Sequence, residues 1–358
     1  MFSSTDIKTW AQEAKFDLCG IAPADSFPEL RYIDEWIRLG YAGEMSYLAR
    51  SLRRRADVRH VVPAAKSVVM LGTVYNTDYP YSTESDDPDA AVISRYAWGR
   101  DYHSELKRRT ETLLDRMRMS SDQPFEARCY VDTGPVQERI YAQYAGLGWI
   151  GKNTCLIHPE KGSWLFLSEI ITSLSLEPDL PQLDQCGNCS LCLEACPTNA
   201  LREPYVLDST RCLSYLTIEL RGPIPKSQRS DIGTYVYGCD ICQDVCPYNA
   251  SPAKSTDPVW QPRPAFDKPT LEALWKCPDD ILNEHLEDSA MSRAGVTGLR
   301  RNIAVALGNS ATSKAREIVT EKPGDETPSK RDPVVVDHLQ WAKQRLARSL
   351  KGRNHSKP

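Results

Sequence analysis

The stretch "CGNCSLCLEACP", Cys186 to Pro197, sets four cysteines at C-x2-C-x2-C-x3-C-P spacing. A second stretch, "YGCDICQDVCP", sets Cys239, Cys242 and Cys246 at C-x2-C-x3-C-P, one cysteine short of the first. No other feature restricts the fold so tightly, because thiols at this spacing wrap the backbone around metal. In the bacterial ferredoxin pattern three cysteines of a run hold one iron–sulfur cluster and the fourth crosses to the other cluster. Cys212, in "STRCLSYL", lies between the runs and can supply the missing ligand. The crossover rule then assigns Cys186, Cys189, Cys192 and Cys246 to one 4Fe–4S cluster, and Cys196, Cys212, Cys239 and Cys242 to the other. Zinc is the rival. It takes tetrahedral four-ligand sets, often as paired C-x2-C knuckles, so the three-cysteine run suits a cubane better. Cys19, Cys129, Cys155 and Cys277 stand alone and read as ordinary buried thiols.

Twelve cysteines behind the opening "MFSSTDIKTWAQEAKFD" fit a reducing, cytoplasmic setting better than a disulfide framework. Asp6, Lys8 and Glu13 break that opening, which reads as an amphipathic helix and not a secretory signal. No apolar run approaches the roughly 18 residues of a membrane span. Residues 1–180 read as α/β. "SVVMLGTVY" (Ser67–Tyr75), "FEARCYVD" (Phe125–Asp132) and "SWLFLSEIITSL" (Ser163–Leu174) are strand candidates. "SELKRRTETLLDRMRM" has Leu106, Leu113, Leu114 and Met117 at helical spacing, and "VQERIYAQYAGLGWIGKN" is a helix running into a glycine-rich stop. "LEPDLPQLDQ" (Leu176–Gln185) is a linker, and the cysteine domain occupies 181–252. Residues 253–312 read as helical, with "GLRRNIAVALGNSAT" resembling one helix of a HEAT-type repeat. Residues 313–358 read as a basic, partly disordered tail, "KPGDETPSKRD" being its disordered part. "PVVVDHLQWAKQRLARSL" within it is either a basic amphipathic helix or a packing helix.

The net charge of −4 argues against a generic nucleic-acid binder. Yet Met291–Pro358 holds 14 Lys/Arg against 6 Asp/Glu. A basic end on an acidic body suits a polyanionic partner met at that end, or else is a solvated tail. No G-x-G-x-x-G follows a strand, so a nicotinamide or flavin site is not signalled. "GLGWIGKN" has the spacing but follows a helix, and reads as a tight turn approaching a ligand. Asp132, at a strand end before Thr-Gly-Pro, can serve as a proton donor if burial raises its pKa. It can equally be the N-cap of the helix that follows, with Glu138 in support.

"YVDTGPVQERIYAQYAGLGWIGKNT", "WGRDYH", "CGNCSLCLEACPTNAL" with "RCLSYLT", and "YGCDICQDVCPYN" together resemble the epoxyqueuosine reductases over about residues 1–310. The resemblance implies a cobalamin-binding α/β domain, a two-cluster ferredoxin-like domain and helical C-terminal repeats. It implies removal of the epoxide oxygen from epoxyqueuosine at the wobble position of a tRNA anticodon. By motif, Asp132 matches the family's proton donor and Arg139 a tRNA-contacting arginine. Arg55, Leu156, Leu167, Ser214, Asp240 and Ile241 fall at cobalamin-contact positions. The implied partners are the tRNA anticodon stem-loop and an external electron donor, with no membrane, the chain acting as a monomer. "DYHSEL" has leucine where the cobalamin motif D-x-H-x-x-G needs glycine, so no lower-axial histidine is expected. Electrons would pass through both clusters to cobalt, and Asp132 would protonate the opening epoxide oxygen.

Two other readings stay open. One is a corrinoid enzyme of the reductive dehalogenase kind acting on a small molecule; those are exported behind a twin-arginine signal, which this N-terminus lacks. The other is an iron–sulfur electron-transfer subunit, which would bind no corrinoid.

Overall fold

A computed structural model of the chain describes residues 2–321 and 327–354, with side chains described as far as Arg348. Helix α1 (Ser4–Glu13) is closed by a capping box between Ser3 and Asp6 and buries Ile7 and Ala11. Strands β1 (Leu18–Pro23), β2 (Ser67–Val74), β3 (Ala127–Tyr130) and β4 (Leu165–Thr172) form one sheet in the order β1-β2-β4-β3. Every pairing is antiparallel. The α/β reading is therefore met by mixed helices and strands, with this sheet antiparallel throughout and one short parallel pair, Val92–Ile93 with Tyr235–Tyr237, outside it. Every residue of β2 is buried, because helices cover both faces of the sheet. On one face lies α2 (Tyr102–Met119), with Leu106, Leu113, Leu114 and Met117 inward. On the other lies α3 (Glu138–Tyr144), with Ile140, Tyr141 and Ala142 inward.

Strand β1 has no counterpart in the sequence reading. "LCGIAP" carries a mid-strand glycine and a terminal proline, both poor strand formers. Gly20 is there for space: a Cβ on it would sit 2.0 Å from the Ala145 carbonyl oxygen. The gain is that the end of α3 packs directly on the sheet.

The cysteine segment is built of short pieces, including helices Leu191–Ala195 and Ile241–Asp244 and a π-helical turn at Tyr215–Glu219. Beyond it, α4 (Leu271–Lys276) and α5 (Asp279–Leu286) break at Cys277–Pro278, where the proline cannot continue the helix. Helix α6 (Gly295–Ser310) is buried almost all round. Helices α7 (Ser313–Thr320) and α8 (Pro333–Asn354) pack upon it, with Val335, Ala342 and Leu346 of α8 in the core.

The segment expected as a tail is thus a docked helical layer where it is described. Of "KPGDETPSKRD", residues 322–326 lie outside the described residues. The remainder is ordered: Ser329 is buried and bonded to Asp279 by its N–H (2.8 Å) and its hydroxyl (2.6 Å). The basic excess is also partly internal. Arg300, 0% exposed, donates to the Leu274 and Trp275 carbonyls at 2.6 Å each. Arg301, 1% exposed, donates to the Leu216 and Leu220 carbonyls at 2.7 and 2.5 Å. Both arginines satisfy helix-end carbonyls and cannot meet a partner. Among the described residues no helix is long and apolar enough to cross a membrane.

Candidate active site

The cysteines gather into two sets. Cys186, Cys189, Cys192 and Cys246 line a cavity of about 290 Å³. Burial first, with Cys186 and Cys192 among its neighbours, pushes the Cys246 thiol up to about 11. Cys196, Cys212, Cys239 and Cys242 line a second cavity of about 390 Å³. Burial and then Cys212 lift the Cys239 thiol, with Cys196 adding to the effect. Each set draws on both cysteine runs. Among the described residues no three His, Cys, Asp or Glu converge on a point as one metal ion would require. The thiols of each set border a common space.

"GLGWIGKN" ties this domain to the sheet. Its close approach is to protein: a Cβ on Gly148 would lie 2.3 Å from the Ile157 carbonyl oxygen. Lys152 Nζ donates to the Gly187 and Cys189 carbonyls at 2.6 and 2.8 Å, and Asn153 Nδ2 to the Cys242 carbonyl at 3.2 Å. One loop thereby braces both cysteine runs. Cys155 departs from the expected isolated thiol. It hydrogen-bonds Cys242, and that bond, against burial, lowers its thiol to about 7. Cys19 and Cys129, expected to be buried, are half-buried, with burial raising each thiol to about 12.

The second cavity also brings together Asp132, Arg139, Leu167, Ser214, Asp240 and Ile241, which are remote in sequence. Arg139 stands at its edge, exposed, with Nη1 on the Thr154 carbonyl at 3.0 Å. Asp240 is buried. Ser94 Oγ donates to one of its oxygens and the Arg95 backbone N–H to the other at 2.6 Å, so its carboxylate is already engaged by protein. Two expected contacts stand apart from this lining. Leu156 belongs to the core behind it, beside the lining residue Cys155. Arg55 donates to the Val136 carbonyl (3.1 Å) and Ser51 Oγ (2.9 Å), holding the loop that carries Asp132.

Asp132 has φ +55°, a left-handed conformation costly for any residue with a Cβ. It does not cap α3: the residue before that helix is Gln137, and its side chain makes no capping bond. Asp132 Oδ2 instead accepts from Tyr102 Oη at 2.9 Å and faces His103 Nε2 at 3.3 Å. The other ring nitrogen, Nδ1, lies 2.7 Å from Asp101 Oδ1. Tyr102 is held by stacking on Phe166, with ring centroids 4.4 Å apart. The Asp132 side chain lines the cavity and is 61% exposed. Burial alone would raise its carboxyl. The His103 bond and charge, with Tyr102, outweigh that and hold it below the usual carboxylate range. This corrects the expectation that burial would dominate at Asp132. The raised carboxyls stand behind it: burial and the Asp132 charge lift Glu138 to about 7, and burial, with Glu138 beside it, holds Glu169 well above the ordinary carboxylate range.

Burial lowers the His103 imidazole, but its bonds to Asp101 and Asp132 more than offset this and hold it at about 9. The folded pKa therefore lies above the unfolded value of about 6.5. Stability from this contact is complete below about pH 6.5 and fades as pH rises through about 9. Thermal denaturation of His103→Gln across that window should show a shallower loss with pH than the parent protein; equal slopes would remove His103 as the titrating group.

Nothing local in "WGRDYH" gives Tyr102 and His103 a role; it comes from Asp132, some thirty residues on. Glu169 does leave a signal in the sequence, as a lone carboxylate inside the apolar run "SWLFLSEIITSL".

Two family models match the chain. "4Fe-4S double cluster binding domain" matches residues 185–249, and "Epoxyqueuosine reductase QueG, DUF1730" matches residues 55–133. Epoxyqueuosine reductase of Leadbetterella byssophila is 39% identical over 84% of this chain and 97% of its own length. That of Pseudomonas aeruginosa is 38% identical over 95% and 93%. A crystal structure of epoxyqueuosine reductase with a tRNA-Tyr epoxyqueuosine-modified stem loop superposes at TM-score 0.81, with 30% identity over 99% of this chain and 94% of that one. The Bacillus subtilis epoxyqueuosine reductase, with its catalytic aspartate loop swung out of the active site, superposes at 0.82 with 28% identity over the same shares.

Proposed function

Since the chain belongs to the epoxyqueuosine reductase family, we propose how its residues carry out the reduction of epoxyqueuosine to queuosine in tRNA. The observation that carries the reading is the second cavity. It sets the Asp132 carboxyl and one complete set of four cysteines around a single space. The matched double-cluster domain holds 4Fe–4S clusters. We assign Cys186, Cys189, Cys192 and Cys246 to the outer one, and Cys196, Cys212, Cys239 and Cys242 to the one beside the cavity.

The residues present fit a cobalamin. Leu167, Phe166, Leu213 and Ile218 give apolar walls, Ser214, Asp240 and Ile241 a partly polar one, and no histidine lines the cavity among the described residues. Leu167, Ser214, Asp240 and Ile241 would hold it. When bound it would supply a strongly nucleophilic, reducible cobalt centre. Asp132 donates a proton to the oxygen as the epoxide opens. Tyr102 and His103 fix the direction of its Oδ2, and Arg139 at the edge meets the anticodon backbone. A nucleotide in an anticodon loop can be turned out into such a cavity at modest cost. Residues 1–180, 181–252 and 253 onward divide the work: acid and cofactor walls, electron path, and a HEAT-like helical support. The test is anaerobically purified protein carrying cobalt and iron that removes one oxygen, by mass, from an epoxyqueuosine-modified stem-loop. Protein loaded with both metals that leaves the mass unchanged would refute the reading.

The tRNA body meets the outer face of α8, where Lys343, Arg345 and Arg348 are exposed. Deleting α8 would strip Val335, Ala342 and Leu346 from the core, so point changes are the sound test. Replacing the three by Gln should weaken binding of full-length tRNA. It should also flatten the slope of log K against log salt by about 1 for each phosphate no longer neutralised. Binding of the short stem-loop should change little. An unchanged slope would leave Arg139 and its surroundings as the main contacts.

A further inference from the structure

Strand β4 alternates cleanly. Ser168 and Ile170 face α2, and Leu167, Glu169 and Ile171 face α3. Glu169 is therefore a carboxyl on the buried apolar face of the sheet, 0% exposed, opposite Met70 and Tyr130 of the flanking strands. No N–H or hydroxyl donor bonds either of its oxygens. Its polar neighbour is the carboxyl of Glu138, in the first turn of α3, which packs on this face of the sheet. Two carboxyl groups can hydrogen-bond only if one carries a proton. With both ionised, two charges would share a low-dielectric space without a donor between them.

The other charged and titratable groups around the pair are few. Asp132 raises both carboxyls. Arg139 favours ionisation at Glu138, and Arg55 at Glu169. Tyr102, which donates to Asp132, also feels the Glu138 charge, and the Cys129 thiol feels that of Glu169. Glu138 connects the pair to the site. It lines the cavity, and its Oε1 accepts the Asp132 backbone N–H at 2.6 Å.

Removal of an epoxide oxygen consumes two electrons and two protons. Both C–O bonds break, a C=C bond forms between the two carbons, and the oxygen leaves as water. The electrons come from an external low-potential one-electron donor through the clusters. Asp132 can give one proton. We propose that Glu138 and Glu169 share one proton in the resting protein, and that this proton, passed out through Glu138, is the second one the departing oxygen takes. The pair returns to its resting state by taking a proton from solvent after water leaves. This inference rests on the reading of Asp132 above, but its signature does not depend on turnover.

The test is infrared difference spectroscopy on the full chain with both cofactors bound, at neutral pH, parent minus Glu169→Gln. The amide introduced by Glu169→Gln can donate to the Glu138 carboxylate, so the two side chains stay paired and only the shared proton is removed. One protonated-acid carbonyl band, shifting in D2O, should be missing from the variant, and from Glu138→Gln as well. For both variants kcat on the modified stem-loop should fall by about tenfold or more with KM unchanged. The descending limb of the parent's kcat profile near pH 7 should vanish with the pair. Loss of no acid band in either variant, or parental kcat in both, would overturn the proposal. If Asp132→Asn retains turnover while the acid band still disappears on substitution, the shared proton stands and the role of Asp132 fails.

Discussion

Cys212→Ala is expected to leave the protein with about four of its roughly eight iron atoms and no measurable turnover. The first number follows from where Cys212 sits. It belongs to neither run, yet lines the same cavity as Cys196, Cys239 and Cys242. It lies in "STRCLSYL", between the short helix at Ser209–Arg211 and the π-helical turn at Tyr215–Glu219, and Arg301 fixes that turn by donating to the Leu216 and Leu220 carbonyls. A ligand held so firmly has no neighbour free to replace it except Cys155, which hydrogen-bonds Cys242 from the same cavity. The measurement is iron and sulfide per chain on anaerobically purified protein, with Cys212→Ala and the double change Cys212→Ala/Cys155→Ala side by side. Half the iron in both supports the crossover assignment. Parental iron in the single variant and half in the double would show Cys155 stepping in as ligand. Parental iron in both would sink the assignment. The loss of turnover follows because the missing cluster is the one facing the cavity, so electrons reaching the outer set have no path inward.

How far such positions can be read in advance depends on the kind of constraint. The cysteine runs are legible because ligand spacing is a local property, and the crossover pattern carries long-range pairing in a short motif. Strands β2 and β4 and helix α2 are legible because burial imposes a period. Strand β1 is not, since Gly20 is chosen for its approach to Ala145 and erases the strand signal. The C-terminal charge misleads for a related reason. Composition counts Arg300 and Arg301 as surface cations, whereas both are buried on backbone carbonyls. The protonation states of the site are the least accessible. Asp132 lies low and Glu138 high because His103, Tyr102 and Glu169 arrive from different elements, and only the folded chain shows which carboxyl faces a cation and which another carboxyl.

That division bears on the acid itself. Asp132→Asn should retain both clusters and cobalamin but lose on the order of a hundredfold or more in turnover, or at least about 3 kcal/mol of transition-state stabilisation. Asparagine keeps the size of the side chain and can still meet Tyr102, so loading and fold should hold; what it cannot do is release a proton to an alkoxide. In the resting protein Asp132 is ionised, held low by His103 and Tyr102. To act as an acid it must first gain a proton, and its position supplies both a source and a trigger. His103 remains protonated up to about pH 9, 3.3 Å away. The residue also sits at φ +55° in a loop anchored at one side by Arg55 on Val136 and at the other by Glu138 on the Asp132 N–H. Any lengthening of the His103 contact leaves burial as the dominant influence, which favours the protonated carboxyl. His103→Gln should then move the pH dependence of kcat while leaving the maximum within about tenfold, whereas Asp132→Asn lowers turnover at every pH. The decisive measurement is single-turnover conversion of modified stem-loop across pH for both variants, with metal content determined on the same samples. Parental rates from fully loaded Asp132→Asn would leave its carboxyl without a chemical role, and Glu138 would be the acid that faces the cavity.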